Sequence, residues 1–311
     1  MPHEGQVVSI NISVEKGTIK QPVSQAVLDM GGIAGDAHAG RWHRQVSLLS
    51  QSRIDDFAAE IGRSIQPGEF AENITVQGLD LTKAGIFDRL TIGDAELEVT
   101  QIGKACHGSQ CAIFREVGRC VMPREGIFCK VISGGPIKSG DQITLLKKTL
   151  RFLIITLSDR AHRGDYQDRS GPRTRQVLET FLAGTRWDSE IECKILPDDP
   201  ARLTQCLSEA KETGVHAIFT TGGTGIGPRD HTPDTVRSFC DKSIPGIMEF
   251  IRLKYGQNNP RALLSRSEAG IAGQTLVYAI PGSVKGAEEY MNEIVVTLEH
   301  LIYMAHGLDI H

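Results

Sequence analysis

The stretch Thr220-Thr221-Gly222-Gly223-Thr224-Gly225-Ile226-Gly227-Pro228-Arg229-Asp230-His231-Thr232-Pro233-Asp234 constrains this chain more than any other. An apolar strand, Ala217-Ile218-Phe219, runs directly into it. Four glycines then clear side chains from a short turn, so bare backbone can approach a ligand and its N–H groups can form an anion-binding nest. Thr220, Thr221 and Thr224 add hydroxyls. Thr232 is placed to N-cap a helix with Pro233 at its first position, so the turn ends at a helix N-terminus, where the dipole favours phosphate. Arg229, Asp230 and Asp234 stand beside this cradle. A phosphate cradle flanked by carboxylates predicts phosphoryl or nucleotidyl chemistry, with Mg²⁺ between acids and phosphates. It is not a P-loop, because the GxxxxGK[ST] spacing and its lysine are absent, and Gly223, Gly225 and Gly227 do not complete a GxGxxG turn. The bland alternative is a tight structural turn; the threonines and the Pro-Arg-Asp-x-Thr-Pro-Asp tail favour the functional one.

The 311 residues imply about two domains. Net charge is -4, with Lys+Arg 34 against Asp+Glu 38, so no basic excess asks for nucleic acid or an anionic membrane. Aromatic residues make up 5%, too few for a base-stacking platform. With no charged leader before an apolar core and no bilayer-length apolar run, the chain is expected to be soluble and cytoplasmic, with no membrane partner. Cys106, Cys111, Cys120 and Cys129 crowd one segment, which in such a chain predicts metal or thiolate chemistry before disulfides.

The first half reads as short strands: 7–12, 46–49, 71–76, 90–92, 97–102, 127–132 and 143–146. Turn signals at Gly68, Gly78, Gly93-Asp94, Gly134-Gly135-Pro136 and Gly140-Asp141 separate them, and one helix around Ile54–Ile61 ends at Gly62. This pattern predicts a β-barrel-like domain over residues 1–147. Its chemistry falls in two places. His38 within the glycine-rich loop 31–40, and Arg41, His43 and Arg44 just after it, offer cations to an anionic ligand. In the segment from Gly103 to Cys111, Lys104 and His107 stand near Cys106 and Cys111 and can shift a thiol toward thiolate. A zinc site from Cys106, His107, Cys111 and Cys120 is an alternative, though its spacing is no standard finger. Cys129, between Phe128 and Lys130 in a strand, is expected to be structural.

Gly35-Asp36-Ala37-His38-Ala39-Gly40, Phe70-Ala71-Glu72-Asn73-Ile74, Thr100-Gln101-Ile102-Gly103-Lys104, Cys120-Val121-Met122-Pro123 and the closing Gly134-Gly135 and Gly140-Asp141 resemble the MOSC domain, named for the C-terminal part of molybdenum cofactor sulfurase. The resemblance implies a strand-rich barrel that binds molybdenum cofactor or handles sulfur, and a cysteine that carries sulfur or ligates molybdenum. Cys111, in a Cys-Ala-Ile context, fits that role, with Cys106 as the alternative.

From Phe152 the pattern alternates strand and helix. Strands are expected at 152–157, 191–196, 217–220 and 275–280, with helices at 172–182, 200–210, 234–240, 245–255 and 284–305. That order predicts an α/β three-layer sandwich with a mainly parallel sheet over residues 151–311. Ligands of such sheets sit beyond the carboxyl ends of the strands. There the chain puts Ser158-Asp159-Arg160, Pro197-Asp198-Asp199, the turn Thr221-Gly222-Gly223-Thr224-Gly225, and Pro281-Gly282-Ser283.

Ser158-Asp159-Arg160-Ala161, Tyr166-Gln167-Asp168, Pro197-Asp198, Thr220–Gly225, Arg229-Asp230-x-Thr232-Pro233-Asp234, Ala262-x-Leu264-Ser265-Arg266 and Pro281-Gly282 occur in the order of the molybdopterin adenylyltransferase family, the MogA/MoaB type, which this half resembles. The resemblance implies transfer of AMP from Mg-ATP to molybdopterin with release of pyrophosphate. It makes Asp198 and Asp230 the catalytic acids and metal ligands, and gives the glycine loop and Ser265 the pterin-phosphate and nucleotide contacts. It also implies a homotrimer, and hand-over of product to molybdate-insertion or molybdoenzyme partners. The alternative is a non-catalytic molybdopterin carrier or storage scaffold on the same fold.

Overall fold

The computed structural model describes residues 3–104 and 120–308. The chain forms two compact units that divide between Lys148 and Thr149.

In the first unit seven strands close into a barrel. In order around it they are Gln142–Leu146, Arg89–Ile92, Ala95–Ile102, Ile127–Ser133, Val46–Ser50, Ile74–Gln77 and His3–Ile12. The ring closes where His3–Ile12 pairs back onto Gln142–Leu146, so these strands leave no open edge. Alternate residues fill the interior: Leu90 and Ile92, Ala95, Leu97 and Val99, Ile143 and Leu145. Helix Gln51–Ile61 sets Ile54 and Phe57 into a second apolar cluster with Leu49, Phe70 and Phe128, and stops at Gly62 in the left-handed conformation. Three short strands, Gln25–Asp29, Gly32–Ile33 and Gly135–Lys138, form a separate sheet. The sequence reads the last two as loop and turn, because glycines and Pro136 look like punctuation. Pro136 is tolerated because Gly135–Lys138 is an edge strand of that sheet. The strand expected over 71–76 begins only at Ile74: Ala71 has φ 61, and the Glu72 and Asn73 side chains serve buried hydrogen bonds instead.

In the second unit a six-stranded sheet runs Asp188–Leu196, Thr149–Leu157, Ala217–Thr221, Thr275–Ile280, Glu268–Ala272, Lys242–Ser243. The first four strands are mutually parallel. The last two pair antiparallel, so the expected mainly parallel sheet is mixed. For Glu268–Ala272 the cause is local: a tight turn through Gly273 (φ 64) folds it directly back onto Thr275–Ile280, and so short a connection permits only an antiparallel pair. Leu153, Ile155, Leu157, Ile218, Val277 and Ala279 bury one face under helix Pro200–Glu212 and helix Thr232–Phe239. By strand alternation, Phe152, Ile154, Phe219 and Tyr278 are buried on the other face, where helices Ser170–Leu182 and Val284–Ala305 pack. No helix among the described residues is long and apolar enough to cross a membrane.

Candidate active site at the strand ends of the second unit

The four parallel strands bring their carboxyl ends to one edge of the sheet, and a cavity of about 740 Å³ opens there. Ser158, Asp159 and Arg160 line it from the end of Thr149–Leu157, and Asp198 from the end of Asp188–Leu196. Thr221, Gly223, Arg229 and Asp230 line it from the glycine turn, and Gly282 from the end of Thr275–Ile280. Two glycines make this convergence sterically possible. Gly222 has φ 107, and a Cβ on it would lie 2.5 Å from the Leu157 carbonyl oxygen. Gly223 has φ 61, and its missing side chain is replaced by the Thr232 hydroxyl, with which any Cβ would collide.

The acids are held by backbone. Asp159 Oδ1 accepts the Asp198 N–H and Asp198 Oδ2 accepts the Asp159 N–H, each at 3.1 Å. Asp230 Oδ2 accepts the Gly227 N–H at 2.8 Å, while the Asp230 N–H donates to the Gly227 carbonyl at 3.0 Å. Side chains at Gly225 and Gly227 would invade the space that this carboxylate fills. Arg229 reaches across to Asp159 Oδ2 at 3.1 Å. Deeper in, Asp168 accepts from the Thr156 hydroxyl at 2.7 Å and from the Ser170 and Gly171 N–H groups at 3.0 and 3.1 Å. The buried hydroxyls of Ser170 and Thr221 lie 3.0 Å apart.

The first unit carries a buried polar cluster of its own. Lys20 and Asp36 form an ion pair whose side chains are fully buried, and Lys20 Nζ lies 3.2 Å from His38 Nδ1. Burial pushes the Lys20 ammonium below its ordinary value. Burial also opposes charge on Asp36, but hydrogen bonds from His38 and Lys20 outweigh it and hold that carboxyl well below the usual range. Glu72 accepts from the Gly68 N–H at 2.6 Å and the Thr75 hydroxyl at 3.0 Å, and burial raises its pKa. Trp42 donates to the His38 carbonyl at 2.7 Å beneath the Arg44 guanidinium. Arg41 is exposed, and His43 Nε2 lies 3.0 Å from Gln101 Oε1. Cys106, His107 and Cys111, and with them the reactive thiol and the zinc alternative, lie outside the described residues. Cys129 is fully buried, and burial drives its thiol far above the reactive range, in agreement with a structural role.

Residues 153–300 match the family model of the probable molybdopterin binding domain, and residues 35–144 match that of the MOSC domain. Molybdopterin adenylyltransferase of Escherichia coli K12 is 35% identical over 147 residues, which are 47% of this chain and 74% of that protein. The chain belongs to the molybdopterin adenylyltransferase family. The molybdenum cofactor synthesis protein cinnamon of Drosophila melanogaster is 33% identical over 158 residues, 50% of this chain, and the match spans 26% of that longer protein. The crystal structure of the molybdopterin biosynthesis enzyme MoaB from Thermus thermophilus aligns at 36% identity with a TM-score of 0.45, covering 51% of this chain and 97% of that one.

Within this unit the expected residues separate into two groups. Ser158, Asp159, Arg160, Asp198, Thr221, Gly223, Asp230 and Gly282 line the cavity. Gly222, Thr224, Gly225, Asp234, Ser265, Pro281 and Ser283 are not in its lining. Several of these brace it. Arg266 pairs with both oxygens of Asp234 at 3.0 and 2.8 Å and donates through Nε to the Gly225 carbonyl at 2.8 Å, so it clasps the glycine turn. Ser265 Oγ lies 2.7 Å from Ser267 Oγ, and Ser283 N-caps helix Val284–Ala305 by accepting the Gly286 N–H at 3.1 Å. The N-cap expected at Thr232 falls one residue earlier, on His231, because the Thr232 hydroxyl is packed against Gly223. Thr156, Arg163 and Ser170 line the cavity without having been singled out, and Tyr166 and Asp168, quoted only as part of the family resemblance, line it without having been given a site role. Asp168 carried a readable signal, an acid two residues before the start of helix Ser170–Leu182.

Among the described residues no group of three or more His, Cys, Asp or Glu side chains is arranged to hold a metal ion by itself. The donor chemistry nevertheless fits Mg²⁺, which takes one or two carboxylates and completes its shell with substrate phosphates and water. Asp198 Oδ1 and Asp230 Oδ1 receive no hydrogen bond from the described residues, which leaves one oxygen of each acid for such a cation.

Proposed function

We propose that the second unit transfers AMP from Mg-ATP to the terminal phosphate of molybdopterin. An oxygen of that phosphate attacks the α-phosphorus, the bond from the α-phosphorus to the bridging oxygen breaks, and pyrophosphate leaves. The observation that carries this reading is the cavity in which Asp159, Asp198 and Asp230 meet a bare-backbone glycine turn and three arginines. Family membership supplies the substrate class. Asp198 and Asp230 would hold Mg²⁺, which supplies neutralisation of phosphate charge. Thr221 and the turn around Gly223 position the anions, and Arg229, Arg160 and Arg163 neutralise them; catalysis then rests on positioning and electrostatics.

Residues 1–147 form a MOSC domain that, in this reading, binds the cofactor or carries sulfur on Cys111, with His38, Arg41 and His43 facing the anionic ligand. Residues 151–311 form the transferase, assembled as a homotrimer in the cytoplasm, where its ATP is available. Joining the two keeps a labile pterin at high effective concentration before hand-over to metal insertion or a molybdoenzyme. The test is incubation of the purified full chain with molybdopterin and ATP labelled at the α-phosphate. Label should enter the pterin with one pyrophosphate released per transfer. Molybdopterin binding without transfer would leave a carrier and overturn the proposal.

A further inference from the structure

Of the three arginines lining the cavity, Arg229 is paired with a cavity acid. Arg160 lies over the Tyr166 ring at 5.4 Å, and Arg163 pairs with Asp165, which is not part of the lining. Arg229 instead meets Asp159 at 3.1 Å. The two ends of that pair differ in freedom. Asp159 is fixed, because its other oxygen accepts the Asp198 N–H and its own N–H donates to Asp198. The backbone of Arg229 is fixed as well, inside a turn closed between Gly227 and Asp230. Its side chain is not, being 79% exposed. So exposed an ion pair is weak, and opening it costs about fivefold in population at most. A guanidinium binds phosphate oxygens bidentately, and a triphosphate offers it more charge than one carboxylate does.

We infer that Arg229 changes partner: without nucleotide it neutralises Asp159, and with nucleotide it swings to the polyphosphate, releasing Asp159 Oδ2 to the divalent cation that accompanies those phosphates. Cation and nucleotide are thereby coupled through one side chain, each favouring the other, as linkage requires. The inference rests on the AMP-transfer reading and adds to it an arginine and a third acid that act in turn.

The experiment measures two ligands separately on the full-length protein: Mn²⁺ alone, by electron paramagnetic resonance, and α,β-methylene-ATP with and without Mg²⁺, by calorimetry. Arg229→Ala should bind Mn²⁺ alone about fivefold more tightly, because Asp159 is released. The same variant should bind the nucleotide about ten- to a hundredfold more weakly, because a charged hydrogen bond is gone. Asp159→Asn should reverse the pattern, weakening Mn²⁺ while metal-free nucleotide binding is retained or improved. A merely structural arginine would move both ligands in the same direction, and that result overturns the inference. So does an Arg229→Ala protein with unchanged affinities while wild type binds nucleotide and transfers AMP; the functional reading then survives alone. Wild type that binds no nucleotide overturns both.

Discussion

Asp159 and Asp198 hold each other in place, each carboxylate accepting the backbone N–H of the other at 3.1 Å. They stand just beyond the ends of adjacent parallel strands, Thr149–Leu157 and Asp188–Leu196. Two acids so close repel, and each N–H dipole offsets part of that repulsion. The pair therefore fixes two acids in the cavity lining at the same time as it pins two strand ends.

Charge and geometry can be separated at Asp198. Asp198→Asn keeps an amide oxygen for the Asp159 N–H, so thermal stability should change little. It loses the charge proposed to face the metal, so AMP transfer should fall about a hundredfold or more. Asp198→Ala also orphans that N–H and should cost about 1 kcal/mol of stability in addition. Melting curves and labelled-AMP assays on both variants check this; an Asn variant as active as wild type removes the charge from the mechanism.

Asp230→Asn tests the acid on the other loop. Its amide oxygen can still accept the Gly227 N–H, so the turn should persist. Transfer should drop about a hundredfold while molybdopterin binding is largely retained, since the proposed reading assigns the pterin phosphate to backbone and hydroxyls. Fluorescence titration with molybdopterin beside the transfer assay decides. Equal loss of binding would make Asp230 structural.

Gly223→Ala should unseat the turn. The residue has φ 61, and an added Cβ would strike the Thr232 hydroxyl. The left-handed backbone costs an L-residue about 1–2 kcal/mol before the clash is counted. Thr232→Ala in the same chain should restore the clash part and leave the backbone part. Denaturant melts of both variants read this directly, and a single variant as stable as wild type would mean that the turn relaxes freely.

How much of this was legible beforehand differs between the two units. In the second, the buried strands and amphipathic helices have strong periods, so the strand ends, and with them Asp159, Asp198, the glycine turn and Gly282, could be brought to one edge on paper. Glu268–Ala272 escaped notice because a short run of small residues has no strand period, and that omission hid the antiparallel edge. Asp234 carries the same chemical signature as Asp230, but only three-dimensional contact reveals that Arg266 holds it. In the first unit the main strands were visible. The buried partnership of Lys20 with Asp36 was not, because Lys20 lies in a polar stretch that reads as an exposed loop.

That ion pair gives the last prediction. Lys20 and Asp36 have fully buried side chains, and Asp36 also accepts the Ser13 and His38 N–H groups at 3.1 and 2.9 Å. Lys20→Met leaves a buried carboxylate without its cation and should destabilise the first unit by about 3–5 kcal/mol. Lys20→Met with Asp36→Asn removes both charges, keeps an amide oxygen for one of the two N–H groups, and should recover part of that loss. The pH dependence has a definite sign. The folded-state pKa of Asp36 is depressed, so its ionisation contributes stability above the ordinary carboxylate value of about 3.9, and that contribution is lost as pH falls below it toward the folded value. The wild type should therefore lose stability relative to the double variant below about pH 4. Urea melts from pH 7 to pH 3 that follow Trp42, in a Trp187→Phe background, isolate the first unit. A constant difference across that range would show that Asp36 is not held ionised by Lys20 and His38.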